Sequence, residues 1–307
     1  MNILLTGGTG FIGSHLLRAL LKKNYSVTLL KRSISDTWRI TDCLNSIVNI
    51  DIDAVPSISS IFSNNHFEMV IHLAGAYIKH HTSEQDIDKL NESNLTFPSE
   101  LLECAVKNGV QYVINTGTFF EYAPSNDKIS ETSTIKPYNY YAATKVAFEK
   151  ILKDYSIRHD LKAITLKLFS PYGEKDTKKV IPLIINSLLH NIRLDLKENN
   201  QKLSFTYIED IVAAYLKAIT FLQSNSYQQY ETFNIGSSKS YSVQEIAESL
   251  IDISNKKNSS VHWPIKSIKN DKHISVMCDS TKAQNILHWK AEVDIREGLK
   301  RTFESYK

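Results

Sequence analysis

A doubly wound α/β fold built on a parallel sheet is predicted by two observations. The first is a glycine fingerprint, Gly7-Gly8-Thr9-Gly10-Phe11-Ile12-Gly13, set between the apolar run Ile3-Leu4-Leu5 and an amphipathic stretch (Ile12, Leu16, Leu17, Leu20, Leu21). The second is the alternation of strand-like apolar runs with helix-period segments as far as Phe169. Gly7 allows the tight turn out of the first strand. Gly10 lets backbone approach a pyrophosphate, and Gly13 lets the helix pack closely on the sheet. The N–H groups and the positive dipole end of that helix then face an anion. Asn24 closes the helix, and Val27-Thr28-Leu29-Leu30 completes a strand–helix–strand unit of about thirty residues.

Further strands are expected at Met69–Leu73, Tyr112–Asn115 and Ala163–Phe169, and helices at Glu84–Lys107 and Tyr138–Tyr155. Ligands of such sheets bind beyond the carboxyl ends of the strands, so residues just after Thr6, Leu30, Leu73 and Asn115 should line one crevice. The second half is less regular, with helices predicted at Val180–His190, Tyr207–Leu222, Val243–Ile253 and Val293–Ser305 and a strand at Thr232–Ile235. No repeat or Pro/Gly-rich linker separates independent units. The expected division is a dinucleotide-binding domain, residues 1–168 plus about 203–235, and a smaller α/β substrate lobe, residues 169–202 plus 236–307.

Composition agrees with a globular enzyme. The 307 residues are 42% hydrophobic and 22% charged, with a net charge of +3, enough for a large core and without the basic block of a nucleic-acid partner. Cys43, Cys104 and Cys278 are an odd number, far apart, with neither disulfide-framework nor metal-ligand spacing. No metal is expected. The absence of a leader pattern and of a long apolar run predicts a cytoplasmic protein without a membrane span.

The chemistry centres on Tyr141-Ala142-Ala143-Thr144-Lys145. A spacing of four places the phenol and the ammonium on one helix face. A tyrosine titrates near pH ~10 and works as an acid/base at neutral pH only where a cation favours its phenolate. Lys145 is placed to supply that cation.

These segments resemble the extended short-chain dehydrogenase/reductase family of nucleotide-sugar epimerases, dehydratases and reductases, over nearly the whole chain. Thr6 to Gly13 resembles its cofactor loop. Ile71-His72-Leu73-Ala74-Gly75 resembles the fourth-strand segment beside the cofactor, and Asn115-Thr116-Gly117-Thr118-Phe119-Phe120 the segment with the catalytic hydroxyl. Lys167-Leu168-Phe169-Ser170-Pro171-Tyr172-Gly173, Phe205 to Asp210, Phe233-Asn234-Ile235-Gly236 and Trp289 match later landmarks.

The resemblance implies that Tyr141 is the general acid/base and that Lys145 lowers its pKa and holds the nicotinamide ribose. It makes Asn94 the structural asparagine and Thr116 the hydroxyl on the reacting sugar oxygen, with Thr118 as second choice. Aligning Thr116-Gly117-Thr118 with the Thr-Asp-Glu triplet of sugar 4,6-dehydratases leaves no acid pair for eliminating water. Epimerisation and net reduction remain.

The cofactor contacts implied are Gly7, Thr9, Gly10, Phe11 and Ile12, with Leu73, Ala74, Gly75, Tyr141 and Lys145 and the adenine pair Asp51-Ile52. Where NAD-binding members end the second strand with an acid, this chain has Lys31-Arg32-Ser33. That predicts a preference for the 2′-phosphate of NADP(H), with NAD(H) possible. NADP(H) favours a reductase, and the segment is most similar to the enzymes reducing CDP- or dTDP-4-keto-6-deoxyhexoses. A cofactor-recycling 4-epimerase is the alternative, and a non-catalytic NADP-binding sensor the weakest reading. The expected partner is a nucleotide-diphosphate sugar, contacted by Thr116, Thr118, Tyr77, Glu121, Lys202 and Lys269, with His80 and His81 nearby. A homodimer through Glu84–Lys107 and Tyr138–Tyr155 is implied by the family.

Overall fold

The computed structural model describes residues 1–125, 127–196, 201–224, 229–256, 260–263 and 275–307. Six strands, β1 (Asn2–Thr6), β2 (Ser26–Lys31), β3 (Val48–Asp51), β4 (Met69–His72), β5 (Tyr112–Thr118) and β6 (Lys162–Leu168), join an edge strand, Tyr230–Ile235, in one sheet. Across the sheet the order is the edge strand, β6, β5, β4, β1, β2, β3, with every pairing parallel. The central strands are apolar runs because both faces are covered, as parallel sheets require. The connection reverses between β1 and β4, and the crevice opens at that switch point.

One face carries α1 (Phe11–Lys22) and α7 (Ile208–Gln223), whose Leu16, Leu17, Leu20, Ile211 and Tyr215 share a core with Ile3, Leu5 and Ile114. The other face carries α2 (Ile58–Ser63), α4 (Phe97–Lys107) and α5 (Tyr140–Arg158) over Leu4, Val70 and Val113. The helix expected at Glu84–Lys107 is divided. Between α3 (Glu84–Asn91) and α4 lies a π-helical turn, Glu92–Thr96, around Asn94. Pro98, at the start of α4, has no N–H for the carbonyl of Asn94, so the ladder widens there.

Beyond β6, α6 (Val180–His190), α8 (Val243–Ser254), α9 (Thr281–Ile286) and α10 (Ile295–Glu304) pack with short strand pairs. Two of the later landmarks are structural ties. The Asp210 carboxylate accepts the Glu292 and Val293 N–H groups at 3.1 Å, and Trp289 Nε1 donates to the Asp210 carbonyl at 2.8 Å. Asn234 accepts from the Tyr122 hydroxyl at 2.7 Å and donates to the Ile129 carbonyl at 2.9 Å. Among the described residues no helix is long and apolar enough to cross a membrane.

Candidate active site

The first turn is shaped by contact as well as by dihedral. Gly7 has φ +73°, and a Cβ there would lie 2.5 Å from the Ala74 nitrogen, so the β1–α1 loop presses on the chain leaving β4. The Thr6 hydroxyl ties the same two strands, 2.8 Å from His72 Nδ1 and accepting the Ala74 N–H at 3.2 Å. Gly7, Thr9, Gly10, Phe11 and Ile12 are thereby brought beside Leu73, Ala74 and Gly75. Gly10 caps α1 without a side-chain acceptor, and no acid stands in its first turn. The helix start is left open to an anion, as a dinucleotide pyrophosphate requires.

Asn94 is 1% exposed and clamps the chain after β4, accepting from the Ala76 N–H at 2.8 Å and donating to the Ala76 carbonyl at 3.0 Å. It also donates to the Thr144 hydroxyl at 3.1 Å, which fixes α5 against that segment.

At the end of β5 the two threonines are engaged differently. Thr116 Oγ1 donates to the His72 carbonyl at 2.9 Å and lies 2.6 Å from the Tyr215 hydroxyl, so it is spent on the sheet and α7. Thr118 instead ends the strand. Its hydroxyl accepts the Phe120 N–H at 3.3 Å and faces the Tyr141 phenol, where it favours the phenolate. Alternation along β5 did not distinguish the two residues; the turn that follows does.

Burial pushes the Tyr141 phenol above its ordinary value, with Glu121 and Tyr77 adding to the shift and Thr118 opposing it. Lys145 is 5% exposed, and burial pulls its ammonium down to about 8 while Glu121 and Glu149 hold it up. In the protein alone, then, Lys145 is not among the groups that set the Tyr141 pKa. Its ammonium makes no hydrogen bond or ion pair within the described residues, leaving three donors for ligand hydroxyls.

Glu121 was expected at the substrate and lies beneath the site instead. It is fully buried, accepts the Thr118 N–H at 2.8 Å and pairs with Lys167 at 2.9 Å. Above it the rings of Tyr138, Phe120 and Tyr77 stack at centroid spacings of 5.7 and 6.2 Å, and Tyr77 meets Tyr141 edge-on at 4.9 Å. Tyr77 and Tyr138 are more than half exposed, an apolar wall that ends at the phenol. Phe120 and Tyr138 were not read as site residues; their side-by-side placement arises only when the β5 turn meets the start of α5. His80 and His81 are both exposed, with the His81 ring 5.6 Å from that of Tyr140.

At the other end of the crevice, Lys31 pairs with Asp51, and Ser33 gives both its N–H and its hydroxyl to Asp53. Asp53 was missed because its bond spans two strand ends. The Arg32 side chain is exposed, and its guanidinium makes no hydrogen bond or ion pair among the described residues. Ile52 packs against the apolar core under β1 and β2. Lys202 is not free, since it pairs with Glu245 at the start of α8 at 3.0 Å. Lys269 lies outside the described residues. A cation not anticipated is Lys179, whose ammonium lies 5.2 Å from the centre of the Phe11 ring beside the glycine loop and donates to the Pro171 carbonyl.

A glycine loop at the carboxyl edge of a parallel sheet, with a Tyr–Lys pair on α5 and a hydroxyl at the end of β5, defines an NAD(P)-dependent enzyme of the extended short-chain dehydrogenase/reductase class. The chain belongs to the NAD dependent epimerase/dehydratase family, whose model matches residues 3–236. It is 30% identical over 305 residues to CDP-abequose synthase of Salmonella muenchen, covering 97% of this chain and 96% of that one. To dTDP-4-dehydro-6-deoxyglucose reductase of Escherichia coli it is 28% identical over 320 residues, covering 99% and 96%. Its fold is similar to that of UDP-glucuronic acid 4-epimerase from Bacillus cereus, solved with UDP-glucuronic acid and NAD, with a TM-score of 0.87, 24% identity and coverage of 99% and 98%.

Proposed function

We propose that this enzyme reduces a nucleotide-activated 4-keto-6-deoxyhexose, linked to CDP or dTDP, with NADPH. The observation that carries the reading is the segment at the end of β5. Thr116-Gly117-Thr118, which resembles the Thr-Asp-Glu triplet of the dehydratases in position, has no carboxyl group. A glycine and a threonine cannot exchange protons at neutral pH as an acid pair does, so elimination of water is disfavoured. Between reduction and epimerisation, the similarity to two enzymes named for deoxyhexose synthesis and reduction supports the former. The stacked wall of Tyr77, Phe120 and Tyr138 fits a sugar whose C6 is a methyl group better than one whose C6 carries a hydroxyl or carboxylate.

In this reading Tyr141 gives its proton to the C4 oxygen, which Thr118 holds by a hydrogen bond. Lys145 binds the ribose hydroxyls, and Asn94 keeps α5 and the segment after β4 in place. When bound, the nicotinamide supplies the hydride that adds to C4. The glycine loop and the open start of α1 hold the pyrophosphate, with Lys179 beside them. Arg32, unpartnered at the end of β2, takes the 2′-phosphate, which is the basis for preferring NADP(H). Asp51 and Asp53 temper that preference and leave NAD(H) usable. We also propose the two-lobe division given above, a homodimer through α3–α5, and residence in a reducing cytoplasm, the last in keeping with three free cysteines.

The test is NADPH oxidation with CDP- and dTDP-4-keto-6-deoxyglucose, with NADH as comparison. Stoichiometric oxidation accompanied by a new deoxy-sugar nucleotide is expected. Interconversion of hexose nucleotides at catalytic cofactor would establish the epimerase, and cofactor binding without either reaction the sensor.

A further inference from the structure

Beneath the reactive tyrosine lies a buried group of charges that neither the glycine loop nor the Tyr–Lys pair explains. Lys167 on β6 is 3% exposed and sits between two carboxylates, 2.9 Å from Glu121 and 3.1 Å from Glu149. Its ammonium also lies 4.8 Å from the centre of the Tyr122 ring. Glu149 on α5 accepts the Tyr230 hydroxyl at 3.0 Å and that of Thr232 at 3.2 Å, both from the edge strand. Glu121 closes the group from the β5 turn, where its other oxygen caps the Thr118 N–H.

Room for this comes from Gly117. A Cβ at that position would stand 3.0 Å from Glu121 Oε1, from Lys167 Cγ and from Thr165 Cγ2. Tyr141, Lys145 and Glu149 recur every four residues along α5, so the helix presents the acid/base, the ammonium and one carboxylate of the cluster on one face. Two carboxylates and two ammonium groups, Lys145 and Lys167, then share one dry compartment. A single buried lysine there would surrender its proton, and an additional anion is what lets both keep theirs.

We propose that Glu121 is a positioning residue for catalysis, acting on the reacting atoms through two others: it fixes the Thr118 turn through the backbone N–H and supplies the counter-charge that keeps Lys145 protonated beside Tyr141. Glu121 does not touch substrate. Lys167 holds the carboxylate in place, and Glu149 balances the second positive charge. Lys167 and Glu149 face it directly, and Lys145 and Tyr141 on α5 and Tyr122 beside it in the chain feel its charge. Burial and the neighbouring Glu149 push the Glu121 carboxyl up while Lys167 opposes them, and burial pulls the Lys145 ammonium down while Glu121 and Glu149 hold it up, so the charge on Lys145 depends on Glu121. Removing the Glu121 charge takes support from Lys145 and lowers its pKa. It also takes repulsion from the Tyr141 phenolate and lowers that pKa. Both changes move the loss of the working protonation state towards acid.

The inference concerns the Tyr141 step that reduction and epimerisation share, and it does not depend on which of them is correct. The experiment is the pH dependence of kcat/KM for the wild type and Glu121→Gln with whichever nucleotide sugar the wild type turns over. Glutamine keeps an acceptor for the Thr118 N–H and removes only the charge. The alkaline limb is expected to move down by about one pH unit, so that activity at alkaline pH falls about tenfold further than at the acid end of the profile. Superimposable limbs overturn the proposal, as does an equal loss at every pH, which is what a purely structural role would give. A wild type inactive on 4-keto sugars would instead overturn the reductase reading alone.

A second measurement covers the case in which Glu121→Gln does not fold. Titration of the 13C-labelled Lys145 ε-carbon in cofactor-free wild type, assigned with Lys145→Arg, should find the ammonium protonated at neutral pH despite its burial. A neutral Lys145 at that pH overturns the proposal.

Discussion

The two ends of the crevice are built in opposite ways. At the reactive end the polar groups sit on buried supports: Thr118 on Glu121, Asn94 on Ala76 and Thr144, and Glu149 on Tyr230 and Thr232. At the adenosine end, Arg32 is exposed, and Lys31 and Ser33 rest on carboxylates that are themselves partly in water. Substitutions are therefore felt unequally at the two ends. A buried group has no water to replace a lost partner, so a change near Tyr141 should be large and specific. A change near Arg32 alters one ligand contact and leaves the fold alone.

The largest effect should come from Tyr141→Phe. Loss of the transferable proton is expected to lower kcat by about 10³-fold or more while NADPH binding, followed by fluorescence, stays within a few-fold. Retention of several per cent of the activity would remove Tyr141 from the acid/base role.

Thr118→Ala and Thr116→Ala separate the two threonines at the reactive end. If Thr118 holds the C4 oxygen, its loss should lower kcat about 10²-fold. Thr116→Ala removes the bond to Tyr215 and should lower stability by about 1 kcal/mol in denaturant unfolding while kcat changes less than about threefold. The reverse order of effects would return the catalytic role to Thr116.

At the open end, Arg32→Asp should lower the NADPH/NADH ratio of kcat/KM by about ten- to a hundredfold without a change in thermal midpoint. An unchanged ratio would remove the reason for preferring NADP(H). The smallest effect is expected from Gly117→Ala. Its new methyl group must displace Glu121, Lys167 or Thr165 by a few tenths of an ångström, at a cost of about 1 kcal/mol in stability and a few-fold in kcat.

What was legible in the sequence followed from local spacing. The glycine loop lies between one strand and one helix, Tyr141 and Lys145 are a single helical turn apart, and the central strands are unbroken apolar runs. Boundaries suffered where a local signal was overridden. The pattern from Glu84 to Lys107 reads as one helix, yet Pro98 widens the turn before it, Glu92–Thr96, where Asn94 reaches Ala76. Lys202 reads as a free cation near the sugar site and is instead held by the first turn of α8.

By itself the sequence determined the parallel sheet, the place of the dinucleotide loop and the Tyr–Lys pair, because each depends on residues a few positions apart and on backbone geometry that repeats. The tertiary structure decided which of two threonines reaches the phenol, that Glu121 is buried rather than presented, and that Lys31 is paired while Arg32 is open. Those outcomes depend on partners brought together from β5, β6, α5 and the edge strand, or from the ends of β2 and β3. Burial and charge act through distance in space, which residue spacing along the chain does not encode.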